Sequence, residues 1–148
     1  MLAPSERIAV IGLGYVGLPF AIALSRHFDI VGYDNDDSRV AERDRGHDQT
    51  GEVERETIKS SKTIVTAELR EMAGSQVLII TVPTPVDQAN VPDLRAMPAA
   101  SQTVGALLEK GALVVLESAV YPGVTKEICG PELATIFRNE ILSDRKGG

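Results

Sequence analysis

The chain has 148 residues, 43% of them hydrophobic, with a formal net charge of −6 and a pI near 4.9. That is enough for one compact domain with a real core and leaves little room for a second. Basic residues never cluster beyond two, no apolar run approaches the ~20 residues of a membrane span, and the N-terminus lacks a basic start and an apolar core, so the expectation is a soluble, cytoplasmic domain rather than one with a nucleic-acid surface, a membrane anchor or a secretory leader. A single cysteine, Cys129, rules out an internal disulfide and offers no metal cluster.

In chain order, residues 6–12 read as a buried strand, apolar on both faces as a central parallel strand must be. It runs into Gly12-Leu13-Gly14-Tyr15-Val16-Gly17, then a helical pattern from Tyr15 to Arg26 with Pro19 near its first turn, a second strand over 28–33, and Asp34. Each part answers a need of dinucleotide binding across a βαβ unit. Gly12 allows the tight turn, Gly14 lets the backbone approach a pyrophosphate, Gly17 lets the helix pack on the sheet, and Asp34 accepts hydrogen bonds from a ribose diol. A glycine turn that merely packs a helix would leave Asp34 unexplained. Methyltransferase and flavin sites also use such a turn, so discrimination falls to later segments.

A helix is expected over 36–45, opened by Asp36-Asp37-Ser38. Arg39 falls one turn into it, either over the adenosine end of a ligand or as a solvated helix charge. Asp34 would repel a 2′-phosphate, which selects NAD over NADP. Residues 46–52 read as a polar loop in which His47 is either a solvated histidine or a catalytic base, and 53–60 as a short helix. A third strand over 62–66, a short helix over 68–72 ended by Gly74, and a fourth strand over 76–82 follow. The fourth strand ends in Pro83-Thr84-Pro85-Val86-Asp87, where ligands bind in open α/β sheets. A helix from Asp93 to Lys110 ended by Gly111, a fifth strand over 112–117, the loop 118–123, a last helix over 124–141 holding Cys129 as a buried thiol and broken at Gly130-Pro131, and a disordered tail over 143–148 complete the reading.

The segments IGLGYVGLP (11–19), GYDND (32–36), GHDQTGEV (46–53), TVPTPVD (81–87), PDL (92–94) and ESAVYPGVT (117–125) together resemble the N-terminal domain of the UDP-glucose/GDP-mannose dehydrogenase family, most like its bacterial branch acting on UDP-N-acetylhexosamines for surface polysaccharides. The resemblance implies a Rossmann-type α/β domain over 1–142, a doubly wound, mainly parallel sheet in the order 3-2-1-4-5. It implies that Gly12, Leu13, Gly14, Tyr15, Val16 and Gly17 hold the NAD pyrophosphate, that Asp34 and Arg39 hold the adenosine end, that Val82, Thr84 and Pro85 line the cleft, and that Ser118 and Ala119 approach the nicotinamide. The 46–53 loop would face the nucleotide sugar. The implied reaction takes the C6 alcohol of a UDP-sugar to a carboxylate with two NAD⁺, through a cysteine thioester.

Two departures stand out. Ala119 replaces the family's usual threonine, removing a hydroxyl near the site of hydride transfer. The family's cysteine, carried by a C-terminal domain, has no counterpart in this chain, since Cys129 does not match it. The expectation is therefore a truncated form, a cofactor-binding half without turnover of its own and without the central and C-terminal domains, self-associating or meeting a partner chain through the face those domains would cover. A non-catalytic NAD-binding or regulatory module is the alternative.

Overall fold

Five short strands carry the architecture: β1 (Arg7–Ile11), β2 (Asp29–Tyr33), β3 (Ile64–Thr66), β4 (Val77–Ile80) and β5 (Leu113–Leu116). The structure is a computed structural model and describes residues 6–91, 93, 95–117 and 131. All strand pairs are parallel, in the order β3-β2-β1-β4-β5, as expected. In register, Ile11 stands opposite both Tyr33 and Ile80. The carboxyl ends of β1, β2 and β4 are therefore level, which brings Gly12, Asp34 and Thr81 to one rim from distant parts of the sequence.

Among the described residues, four helices, α1 (Gly17–Leu24), α2 (Asp37–Arg45), α3 (Arg55–Ser60) and α4 (Ala96–Gly105), and a 3-10 turn at Leu69–Met72 connect the strands. Side chains alternate across the sheet. Ile8, Val10, Ile30, Val77 and Ile79 cluster with Leu18, Ala21 and Ile22 of α1 and Ile58 of α3. Ala9, Ile11, Val31, Leu78 and Ile80 cluster on the other face with Met72 and with Ala100 and Val104 of α4. Two covered faces are what unbroken apolar strands such as Val77-Leu78-Ile79-Ile80 require, because no position along them can face water.

Both ends of α1 and of α4 differ from the sequence expectation. α1 is shorter than 15–26. It starts at Gly17 because the glycine turn occupies the preceding residues, and it stops at Leu24 because the Ser25 hydroxyl takes the Ile22 carbonyl (2.7 Å) and the next N–H groups tighten onto carbonyls three residues back. α4 starts at Ala96 rather than Asp93, since the Asp93 carboxylate binds the Arg95 N–H (3.0 Å) and guanidinium in a turn ahead of the helix. It ends at Gly105, and Gly111 (φ +89°) serves the turn into β5. α2 fits its forecast: Asp36 caps it by accepting from the Ser38 N–H (2.9 Å), and Gly46, left-handed at φ +66°, closes it. The loop 118–123, the helix 124–141 with Cys129 and the tail 143–148 lie outside the described residues, Pro131 excepted.

Candidate functional site

Three strands pin the glycine turn. Gly12 leaves β1 at φ +95°, its N–H donating to the Tyr33 carbonyl (2.9 Å), with the Val82 backbone so near that an added Cβ would sit 3.1 Å from it. Leu13 is buried and fills the space above Gly32. The Thr81 hydroxyl lies 3.0 Å from the Ile11 carbonyl and 2.6 Å from the Gly12 carbonyl, so its single proton serves both. Thr81→Val keeps the shape and removes that proton. It is expected to lower stability by about 1–3 kcal/mol, the cost of removing the hydroxyl donor from the Gly12 carbonyl while the Ile11 carbonyl keeps the Thr81 N–H (2.8 Å), read as a lower denaturant midpoint at unchanged slope.

The acid at the end of β2 is tied to the same turn. One oxygen of Asp34 accepts from the Leu13 N–H (2.9 Å) and the other from the Asp36 N–H (3.0 Å). Each oxygen keeps a lone pair for a further donor. Arg39 donates to the Leu13 carbonyl on the other side of the turn and to Glu42 (2.8 Å), with Asp48 3.6 Å away. Its side chain is 13% exposed and lines the cleft, so it is not a solvated helix charge.

Beneath Arg39, Asp48 organises the 46–53 loop. It accepts from the Thr50 N–H and hydroxyl and from the N–H groups of Glu52 and Val53. Burial alone would push its carboxyl up, but the Thr50 hydroxyl and the Thr50, Val53 and Glu52 N–H groups together hold it below the usual carboxylate range. Because the folded pKa is depressed, the stabilisation is complete above the unfolded aspartate value, about 3.9, and is lost as pH falls through the lower folded value. Amide exchange in residues 50–53 is therefore expected to accelerate selectively below about pH 4, and in Asp48→Asn to be fast already at neutral pH with no acid step.

A cleft of about 450 Å³ opens between these groups, lined by the Ile11–Gly14 turn, Tyr33, Asp34, Asn35, Asp36 and Arg39, Val82 and Pro83, and the α4 face at Ala96, Ala99, Ala100 and Thr103. Of the residues the sequence singled out, Gly12, Leu13, Gly14, Asp34, Arg39 and Val82 meet there. Tyr15 and Val16 are exposed beside it, and Gly17 lies buried beneath the turn. Thr84 and Pro85 are outside the lining, and Pro83 takes their place; the Pro85 carbonyl accepts from the Asp93 N–H (2.7 Å). His47 is exposed. Ser118 and Ala119 lie outside the described residues. Sequence reasoning missed Thr81, Glu42, Asp48 and the small-residue face of α4.

The cleft sits at the carboxyl ends of β1 and β4, between which the strand order reverses, the position at which open parallel sheets hold ligands. A Cβ added to Gly14 would meet nothing within 4 Å, so the turn presents bare backbone to open space, room for a phosphate. A glycine turn at the head of a helix, a carboxylate at the end of the second strand and a cleft at the switch point define a dinucleotide-binding domain of Rossmann type. The chain belongs to the UDP-glucose/GDP-mannose dehydrogenase family: the NAD binding domain of that family matches residues 6–141. The cofactor of this domain is NAD. It is 43% identical over 128 residues to a UDP-N-acetyl-D-glucosamine 6-dehydrogenase of Pseudomonas aeruginosa, covering 86% of this chain and 30% of that protein. It is 39% identical to a UDP-N-acetyl-D-mannosamine dehydrogenase of Pyrococcus horikoshii. A solved UDP-N-acetylmannosamine dehydrogenase structure from the same archaeon superposes with a TM-score of 0.78 at 36% identity, over 88% of this chain and 32% of that one. The chain thus spans about 30% of the length of the curated relatives it matches. Among the described residues no helix is long and apolar enough to cross a membrane, and no group of histidine, cysteine and acidic side chains is placed to hold a metal ion.

Proposed function

We propose that this chain is the NAD-binding part of a dehydrogenase that oxidises the C6 alcohol of a UDP-sugar, a UDP-N-acetylhexosamine in the first place and UDP-glucose in the second, to the uronic acid in surface polysaccharide synthesis in the cytoplasm. The observation that carries the cofactor half is the Asp34 carboxylate, locked to the glycine turn and facing the cleft with acceptor capacity to spare. The identities to UDP-N-acetylhexosamine dehydrogenases support the substrate class.

The chain's own residues would work as follows. The turn from Gly12 to Gly17 presents backbone and the positive end of α1 to the pyrophosphate. Asp34 accepts from the adenosine ribose. Arg39, held against Leu13, fixes the shape of the turn, and Val82, Pro83 and the α4 alanines supply apolar walls, with Thr84 and Pro85, outside the cleft lining, meeting the cofactor only beyond it. By the family resemblance, Ser118 and Ala119 would approach the nicotinamide. NAD⁺, when bound, supplies the hydride acceptor.

Gly14→Ala separates scaffold from site. The added methyl meets no protein atom, so the variant is expected to melt like the parent, yet it fills the phosphate approach and weakens NAD⁺ by about tenfold or more. Catalysis is tested by a chimera in which this chain replaces the matching segment of the Pseudomonas relative. Two NADH per UDP-N-acetylglucosamine are expected, and Ala119→Thr should raise the rate by about tenfold or more by restoring a hydrogen-bond donor. A folded, NAD⁺-binding chimera that stays silent with either residue at 119 would contradict the catalytic reading and favour a non-catalytic NAD-binding module, the reading to which Ala119 points. The chain alone is expected to bind NAD⁺ without turnover and to self-associate. A single monomeric species in sedimentation at high concentration would refute the latter.

A further inference from the structure

Arg39 lines the cleft beside Asp34 and Asp36, where the 2′-position of an adenosine ribose would lie on the reading above. An arginine there is the usual partner of a 2′-phosphate, because its planar fork matches phosphate oxygens. In this chain that fork is turned inward. One nitrogen donates to Glu42 at 2.8 Å, another to the Leu13 carbonyl, and Asp48 stands 3.6 Å away. Glu42 lies outside the cleft lining and is 2% exposed. Its Oε2 receives Arg39 and, more distantly, the Gln49 N–H (3.4 Å), while its Oε1 is buried with no hydrogen-bond partner.

These contacts rank the tethers. Asp48 spends both oxygens on its own loop, so its hold on the guanidinium is the weaker one. Glu42 depends on Arg39 for its charge. If Arg39 swung out to a phosphate, a carboxylate would remain buried and uncompensated, one of the costlier changes a protein interior can suffer. Selection against the phosphorylated cofactor would thus have two parts, repulsion by Asp34 and the withdrawal of Arg39, the one cation lining the cleft among the described residues.

We propose that Glu42 is a specificity-determining positioning residue that pins Arg39 on the glycine turn and thereby bars dinucleotides carrying a 2′-phosphate. The inference rests on the cofactor reading of the cleft. It predicts that loosening Arg39 shifts preference rather than overall affinity, which a purely structural Glu42 would not do.

The test is a calorimetric comparison of NAD⁺ and NADP⁺ on the whole 148-residue chain in an Asp34→Asn background, where direct repulsion is removed. Adding Glu42→Gln should move the NADP⁺-to-NAD⁺ affinity ratio toward NADP⁺ by roughly tenfold. Adding Arg39→Gln to that pair should cancel the gain. Glu42→Met, which removes the buried charge at similar volume, gives the same shift and replaces Glu42→Gln if that variant does not fold. An unchanged ratio in both Glu42 variants, or a gain that survives loss of Arg39, overturns the role of Glu42 while NAD⁺ binding by the parent chain still stands. A parent chain that binds neither dinucleotide overturns the cofactor reading and this inference with it.

Discussion

Asp34→Ala is expected to weaken NAD⁺ binding by about a hundredfold or more while leaving the domain folded. The magnitude follows from what the carboxylate does in the cleft. Hydrogen bonds to a charged acceptor contribute about 1.5–3 kcal/mol each, and a ribose diol offers two. The scaffold loses less. The Leu13 and Asp36 N–H groups lose their partners (2.9 and 3.0 Å), but the second bond is exposed and the first, part-buried, borders the cleft, so water enters where the carboxylate stood. Calorimetry should therefore show the loss, and thermal melting only a small drop. Asp34→Asn keeps one acceptor oxygen and is expected to fall between the parent and the alanine variant. Equal NAD⁺ affinity in Asp34→Ala and the parent would remove the carboxylate from the site.

Gly17→Ala is expected to have the largest effect on stability. Helix propensity alone would favour alanine by about 1 kcal/mol at this first residue of α1. Geometry decides otherwise. The new Cβ would lie 1.7 Å from the Gly12 carbonyl oxygen and 2.5 Å from the Thr81 hydroxyl, and the nearer atom is backbone of the turn itself. α1 must lift from the sheet, opening the cluster of Leu18, Ala21 and Ile22 against Ile8 and Val10. A loss of about 3 kcal/mol or more is expected, seen as a fall in denaturant midpoint well beyond that of Thr81→Val. Gly14→Ala, three residues away, should cost nothing measurable in stability. The contrast separates two glycines that read alike in the motif: one is required by packing and the other by the ligand.

The parts of the fold that were legible are those with strong short-range patterns. The unbroken apolar runs at β1 and β4 and the turn between β1 and α1 state their structure locally, and Asp34 follows from the position of the second strand. The strand order came with the family resemblance. Helix ends were less legible because side chains decide them. The Ser25 hydroxyl shortens α1 and the Asp93 carboxylate delays α4, and neither residue type announces which nearby backbone group it will take. Thr81 was out of reach for another reason, since its hydroxyl meets Gly12 only after β4 pairs with β1. Glu42 is the plainest case. In Asp37-Ser38-Arg39-Val40-Ala41-Glu42-Arg43-Asp44-Arg45 it reads as one more solvated charge, yet it is buried, held by Arg39 and facing the Gln49 N–H of the 46–53 loop. A spacing of three from Arg39 was the one available hint, because such pairs meet on a helix surface.

The turn, Asp34 and Arg39 form one connected unit, so the account is most exposed at its first consequence. The direct measurement is a calorimetric titration of the 148-residue chain with NAD⁺, with NADP⁺ and UDP-N-acetylglucosamine in separate runs. Saturable NAD⁺ binding at one site per chain, with NADP⁺ far weaker and the sugar nucleotide without effect on its own, is the predicted result. A folded chain that gives no heat with NAD⁺, or that takes NADP⁺ equally well, would contradict the reading of the Gly12–Asp34 cleft as a working NAD site.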